Sequence, residues 1–286
     1  MKVLLTSLED TASRNIRDRL LDLASWKEIG SFDGRPVRQY EELLMFEKEG
    51  MHLYFENVDV EISRFIENEL GTRPSSSHER PLDLLVFLSK HRSEKNVRSL
   101  TVHPPGNYLS ADFGGQQGYL PPSAPFQMTS ALRSLYKEKK ALGLKDQTTY
   151  EVTHHGPALS SPSFFIEIGS SEERWHIPEL GRAIALALLS SDFREPDTLS
   201  PIAIGIGGGH YAPRFTDRAM RKKFAFGHMI PDYILKATND MEKCIDLAIG
   251  STPDVEYAFM HRSKTNEDIL DQASEILVSR GIKVAY

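Results

Sequence analysis

Short apolar runs alternate along the chain with longer stretches whose apolar residues recur at helical spacing. Lys2–Thr6 (KVLLT) reads as a strand and Thr11–Ala24 as an amphipathic helix. Met51–Asn57 (MHLYFEN) predicts another strand, and Val58–Leu70 a helix that Gly71 stops. The polar segment Thr72–Pro81 predicts a surface loop. Leu82–Ser89 (LDLLVFLS) is continuously apolar, the mark of a strand covered on both faces. Val97–His103 predicts a strand, and Ala124–Leu142 a helix with Pro125 in its first turn and Gly143 after its end. Thr148–His154 and Ser163–Gly169 are strand-like, and Ile177–Ser191 is helical. Pro201–His210 runs from a strand into a glycine turn. Val255–His261, Asn266–Arg280 and Ile282–Tyr286 close the chain as strand, helix and strand. This alternation predicts an α/β protein, a three-layer α/β/α sandwich around a mixed, mostly buried sheet. One catalytic domain over 1–286 is expected, with room for a small subdomain inserted around 104–150. There is no internal repeat.

Histidines fall at the ends of five of these strands: His91, His103, the pair His154–His155, His210 and His261. Loops at the C-terminal ends of such strands are where α/β proteins bind ligands. His91 begins an H-x-x-E tetrapeptide ending at Glu94, a spacing that can supply two ligands to zinc. The tetrapeptide is short enough to arise by chance. His103 precedes Pro104–Pro105–Gly106, where a histidine bonded to a rigid turn competes with a ligand. Neighbours on an extended chain point to opposite faces, so only one of His154 and His155 is expected in a given site. Glu167 lies within FFIEIG, where a buried carboxylate is costly unless paired or metal-bound. Arg174 and Arg182 are the structural alternatives as its partner.

Gly207–Gly208–Gly209 can bring backbone N–H groups together as a nest for an anion, or serve simply as a tight turn. The run lacks the endings of a Walker loop and the spacing of a dinucleotide fingerprint. Arg214, Arg218, Arg221, Lys222 and Lys223 follow, spaced to put several cations on one helix face and to hold a nucleic-acid backbone. His228, near Phe224 and Phe226, could wall a nucleobase or be a satisfied core histidine. No nucleophile elbow is present.

The chain has 286 residues, 40% hydrophobic and 26% charged, which predicts a globular protein. A net charge of −6 argues against a nucleic-acid coat protein but leaves room for a local basic contact, at Lys90–Arg98 or Arg214–Lys223. The single cysteine, Cys244, excludes an internal disulfide framework and fits a reducing cytoplasm. It also restricts any metal site to imidazole and carboxylate. No secretory leader or membrane span is expected from the apolar runs.

Several of these stretches together resemble a known motif series. LTVHPPGN, YEVTHHGP, PSFFIEIGSSEERW, AIGIGGGHYAPRFT, FGHMIP and the late HRSK are similar to the archaeal and plant type D-aminoacyl-tRNA deacylases, as is the early SLEDTASRNI. The resemblance spans nearly the whole chain. It implies a monomeric, zinc-dependent enzyme with two Zn2+ per subunit on a phosphorylase/hydrolase-like fold. The implied reaction is hydrolysis of the ester joining a D-amino acid to the 3′ end of tRNA. Under that reading His91, Glu94, His154 or His155, and Glu167 hold zinc, while His103 and His210 complete or orient the site. The triple glycine then steadies the oxyanion, and Arg214, Arg218, Lys222 and His228 meet the tRNA. The rival expectations are a zinc amidohydrolase of small N-acyl amino acids and an RNA-end or nucleotide-binding module.

Overall fold

A computed structural model describes all residues except 74, 76–79, 94–95 and 265. Its first sheet contains β1 (Lys2–Ser7), β2 (Lys27–Phe32), β3 (Arg35–Tyr40), β4 (Leu43–Lys48), β5 (Leu84–Lys90), β6 (Ser99–His103), β7 (Gln147–Tyr150) and β8 (Ser163–Ile168). The second contains β9 (Ile202–Ile206), β10 (Ala225–Ile230), β11 (Tyr257–Met260) and β12 (Lys283–Ala285). Spatial order in the large sheet is β2-β3-β4-β1-β5-β8-β6-β7; in the small one it is β10-β9-β11-β12. Strands β4, β1, β5 and β8 are parallel neighbours, β6 runs antiparallel to β8, and the small sheet is entirely parallel.

Alternation along each strand divides the core. Leu4 of β1 and Val86 of β5 point to one face of the large sheet, where they pack with Ile16 and Leu20 of the helix Thr11–Leu23 and with Ile184 of the helix Pro178–Leu189. Val3, Leu5 and Phe87 point to the other, against Val58, Ile62 and Ile66 of the helix Val58–Leu70. The first of these cores continues onto the small sheet through Phe215, Phe226 and Phe259, which joins the sheets by apolar contact. Ile204, Ile206 and Ile230, on the small sheet's other face, meet the helices Met241–Gly250 and Glu267–Ser279. The mixed, largely buried sheet flanked by helices is the fold class that the alternation predicts.

Three local differences from the sequence reading have physical causes. The strand expected at Met51–Asn57 is instead a 3-10 turn, His52–Tyr54, and the strand lies earlier, at β4. Leu43–Phe46 are all buried and pair in parallel with β1, and Gly50, at φ +96°, then turns the chain. The β2–β3 hairpin escapes an apolar-run reading because most of its residues are exposed or half-buried. Its turn is Asp33–Gly34, both at positive φ, a pair suited to a tight hairpin. Strand β10 is wholly buried, and its FAFGHMI run carries no polar alternation.

Candidate active site

The large sheet brings three site residues together by register. His103, the last residue of β6, pairs with Phe165 of β8, and Thr101 pairs with Glu167. Phe165 and Glu167 are two apart and share a face. The His103 ring therefore stacks on Phe165, with centroids 5.0 Å apart and planes within 4°, and its Nε2 lies 3.7 Å from Glu167 Oε1. On the other side of β8, β5 ends at Lys90 and delivers His91, whose Nδ1 is 3.5 Å from Glu167 Oε2.

The loop after β7 adds the rest. Strand β7 stops at Tyr150, and the Glu151 amide bonds the Val102 carbonyl, while Val152 N–H donates to the His210 carbonyl. That bond ties the loop to the end of β9. Glu151 is fully buried, with Oε1 3.2 Å from His91 Nδ1 and Oε2 3.1 Å from His210 Nε2 and 3.6 Å from His154 Nε2. The sequence reading missed this carboxylate. Its signal was available: Glu151 interrupts an apolar strand end just as Glu167 does, three residues before His154.

Both His154 and His155 enter the site, contrary to the expectation for an extended chain. His155 sits at φ +46°, which swings its ring back beside its neighbour, with centroids 4.4 Å apart. The His103 ring completes the group at 4.1 Å from His154 and 4.8 Å from His155. All three rings place Nδ1 against a backbone carbonyl: His103 at 3.2 Å from Pro104, His154 at 2.8 Å from Val152 and His155 at 2.9 Å from Gly156. A carbonyl only accepts, so each Nδ1 carries the proton and each Nε2 is turned away from it.

Electrostatics sharpens this picture. Burial and the neighbouring imidazoles push the His154 pKa well below its ordinary value, and burial and His103 push that of His155 down to about 4. Both rings are therefore neutral near pH 7, and their Nε2 atoms are bare lone pairs. For His91, burial lowers the pKa, but Glu151 and Glu167 outweigh it and raise it to about 11. Burial would raise the pKa of Glu151, yet His210 and His91 hold it well below the usual carboxylate range; likewise His103 and His91 hold Glu167 down at about 2.

Three buried atoms of this cluster have no hydrogen-bond partner among the described residues: His103 Nε2, Glu151 Oε1 and Glu167 Oε2. His91 Nδ1 lies close to the two carboxylate oxygens but off hydrogen-bond alignment, so those contacts are ionic. The Nε2 lone pair of neutral His154 faces the ionised Glu151 at 3.6 Å, and His103 Nε2 lies 3.7 Å from Glu167, an arrangement that favours a cation between them. Two overlapping sets each bring their ligand atoms within 4.8 Å: His103–His154–His155 and His103–Glu151–Glu167; a third, His91–Glu151–His210, adjoins them. This donor set of nitrogen and oxygen fits a borderline divalent ion such as zinc.

His91, His154, His155, Glu167 and His210 line a cleft of about 770 Å³ together with His52, Lys90, Arg92, Phe113 and Trp175, while His103 and Glu151 are fully buried. His52, likewise unremarked in the sequence, donates through Nε2 to the Leu5 carbonyl at 3.2 Å and edges onto Phe165. Glu94 lies outside the described residues. His261 stands apart, its Nδ1 against Gly208, where an added Cβ would lie 2.6 Å away. The Gly207 amide is already bonded to the Ile230 carbonyl, and Gly207 and Gly208 adopt φ +93° and +85°, so the turn requires glycine on conformational grounds. His228 is fully buried between Thr153 Oγ1 (3.0 Å) and the Pro121 carbonyl (2.8 Å); it is a satisfied core histidine, with no face for a base. Arg218 lies over the Phe259 ring and Lys222 pairs with Asp197, while Arg214 is exposed at the start of the helix Pro213–Met220. None of these three lines the cleft. Arg174, a structural alternative for Glu167, is engaged by Asp146 instead.

A family model for D-aminoacyl-tRNA deacylases matches residues 78–285. The chain is 37% identical over 235 residues to a D-aminoacyl-tRNA deacylase of Thermococcus kodakarensis, covering 82% of this chain and 81% of that one. It is 33% identical to one of Pyrococcus furiosus, covering 99% and 98%. A crystal structure of the conserved protein of unknown function AF0625 superposes with a TM-score of 0.84 at 29% identity, covering 100% of this chain and 94% of that chain. The chain belongs to the D-aminoacyl-tRNA deacylase family.

Proposed function

We propose that the cleft hydrolyses the ester between a D-amino acid and the 3′ end of tRNA, with Glu151, Glu167 and the surrounding histidines preparing the attacking water. The observation that carries this reading is the convergence of His103, His154, His155, Glu151 and Glu167 in one cluster, from which His154, His155 and Glu167 line a cleft. His103, His154 and His155, with Glu151 and Glu167, would hold Zn2+, and the adjoining His91–Glu151–His210 set supports a second ion. When bound, zinc would supply Lewis acidity, bringing the pKa of a water down to about 7.

The chain's own groups do the rest. Glu151 and Glu167 remain ionised near neutral pH, which suits them to hold a cation and to orient the attacking water by accepting its hydrogen bond. Without metal His91 is held cationic by both carboxylates, which balances their charge and fixes their orientation; it would give up that proton on taking a second ion. His210 is about a third exposed and is oriented by Glu151 at 3.1 Å, which suits it to carry a proton from the attacking water to the departing ribose oxygen. Lys90 and Arg92 on the cleft wall offer charge for the last phosphodiester. Arg214 is suited to backbone phosphates further along the acceptor stem. Against this, Arg218 and Lys222 are engaged within the chain.

The test is release of amino acid from tRNA charged with D-tyrosine or with L-tyrosine, alongside N-acetyl-tyrosine. Release from the D-ester only is the expected result. No release, or cleavage of the N-acetyl compound in its place, would overturn the proposal and favour a binding module or an amidohydrolase.

A further inference from the structure

Phe113 is the exposed aromatic of the cleft. It is 65% exposed, yet the backbone around it, between β6 and the helix Pro125–Ala141, is fixed by hydrogen bonds and close contacts. Its carbonyl accepts from Gly156 N–H at 3.0 Å, directly beside His155. Asn107 Nδ2 donates to the Gly114 carbonyl at 2.9 Å, and Gly115 N–H donates to Glu56 Oε1 at 2.7 Å; the other oxygen of Glu56 accepts from Ala158 N–H at 2.8 Å. The tip is also closed sterically. A Cβ on Gly114 would lie 1.7 Å from the Leu53 carbonyl oxygen, and one on Gly156 would lie 2.2 Å from Gly115 N.

A rigid backbone holding an unburied phenyl ring beside a reaction centre gains nothing for folding, since a phenylalanine stabilises the fold by burying its surface. It does suit a planar partner, because the ring is already fixed and little entropy is lost when something stacks on it. The rest of the wall limits what that partner is. Lys90 and Arg92 offer charge for phosphate, and the carboxylate–histidine floor takes the ester. The remaining planar element of the substrate end is the terminal base. We propose that Phe113 is the platform on which the 3′-terminal adenine of the tRNA stacks. This inference rests on the deacylase reading above. It adds a base-binding residue that aligns the ester over Glu151 and Glu167.

The experiment uses the full chain, and tRNA carrying 2-aminopurine as its last base, whose fluorescence is quenched on stacking. Binding to the wild-type chain quenches it, Phe113→Ala abolishes the quenching, and Phe113→Trp keeps it. In deacylation assays, Phe113→Ala raises KM by about five- to 150-fold with kcat little changed, as expected for one lost base stack. The factor is the same for D-tyrosyl and D-alanyl esters. Tyr136→Ala, an exposed aromatic on the outer helix Pro125–Ala141, leaves both readouts unchanged. Unaltered quenching in Phe113→Ala overturns the proposal. So does a KM loss that grows with the amino-acid side chain, which would put the ring against the amino acid instead. Absence of deacylation by the wild-type chain would sink the deacylase reading, while the fluorescence still reports stacking independently.

Discussion

Glu151→Gln keeps the shape of the side chain and removes one charge from beneath three imidazoles. The carboxylate is fully buried, 3.1 Å from His210 and 3.2 Å from His91. At such separations the gross attraction is about 5 kcal/mol for a unit pair at an effective dielectric near 20, and desolvation of both groups opposes it. Breaking one partner of a buried pair nonetheless costs about 3–5 kcal/mol, because the remaining charge stays buried. Here His91 retains Glu167 at 3.5 Å, so the lower end, about 3 kcal/mol, is expected in urea unfolding of the chelator-treated protein near pH 7.5. Single-turnover release of D-tyrosine should fall by about a hundredfold or more, since the same carboxylate orients His91, His154 and His210. Asp146→Asn is the matched comparison. Asp146 is equally buried, paired with Arg174, and absent from the cleft, so its loss should destabilise the fold while leaving turnover intact. A Glu151→Gln protein that unfolds like wild type and hydrolyses at full rate would refute the reasoning.

Acid stability offers an independent check. Burial lowers the His228 pKa to about 4 and the His52 pKa to about 3. The unfolded chain binds these protons near pH 6.5, so their contribution is complete above that pH and is lost as pH falls from 6.5 towards 4 and 3. Each should add a slope of about 1.4 kcal/mol per pH unit to the unfolding free energy. Urea titrations at stepped pH should show the slope reduced by about one proton in His228→Gln; an unchanged slope contradicts the assignment. Gly114→Ala forces a Cβ onto the Leu53 carbonyl at φ +74° and should cost about 2 kcal/mol or more in a thermal melt. A variant as stable as wild type would show that the Phe113 loop is not fixed as described.

The residue pattern makes the β/α alternation and the gathering of histidines at strand ends readable, because both follow from local spacing. LLVFLSK must be covered on both faces and becomes β5; His91, His154 and His210 lie past the ends of strands and His103 ends one, although β6 runs opposite to β5 and β8. What spacing does not reveal is set by backbone conformation and long-range pairing. His155 enters the site only through its left-handed φ, which no periodicity announces. Glu151 was legible on the same ground as Glu167, but its importance depends on the loop from β9 folding back to bring His210 against it. His228 sits at a motif that suggests binding, yet the packing of β10 against Thr153 and Pro121 uses both of its nitrogens. The polar hairpin β2–β3 was missed because its strands form the exposed edge of the sheet, although Asp33–Gly34 marks the turn.

Central to the site are the Nε2 atoms of His103 and His154, turned by their carbonyl-bound Nδ1 atoms towards Glu167 and Glu151, with the His155 ring beside them. The most direct measurement is a zinc titration of chelator-treated protein, following D-tyrosine release from charged tRNA and bound metal in the same samples. Release should be absent without metal and should rise in proportion to zinc bound, levelling at one or two ions per chain. Hydrolysis at the full rate by protein shown to hold no metal would contradict it.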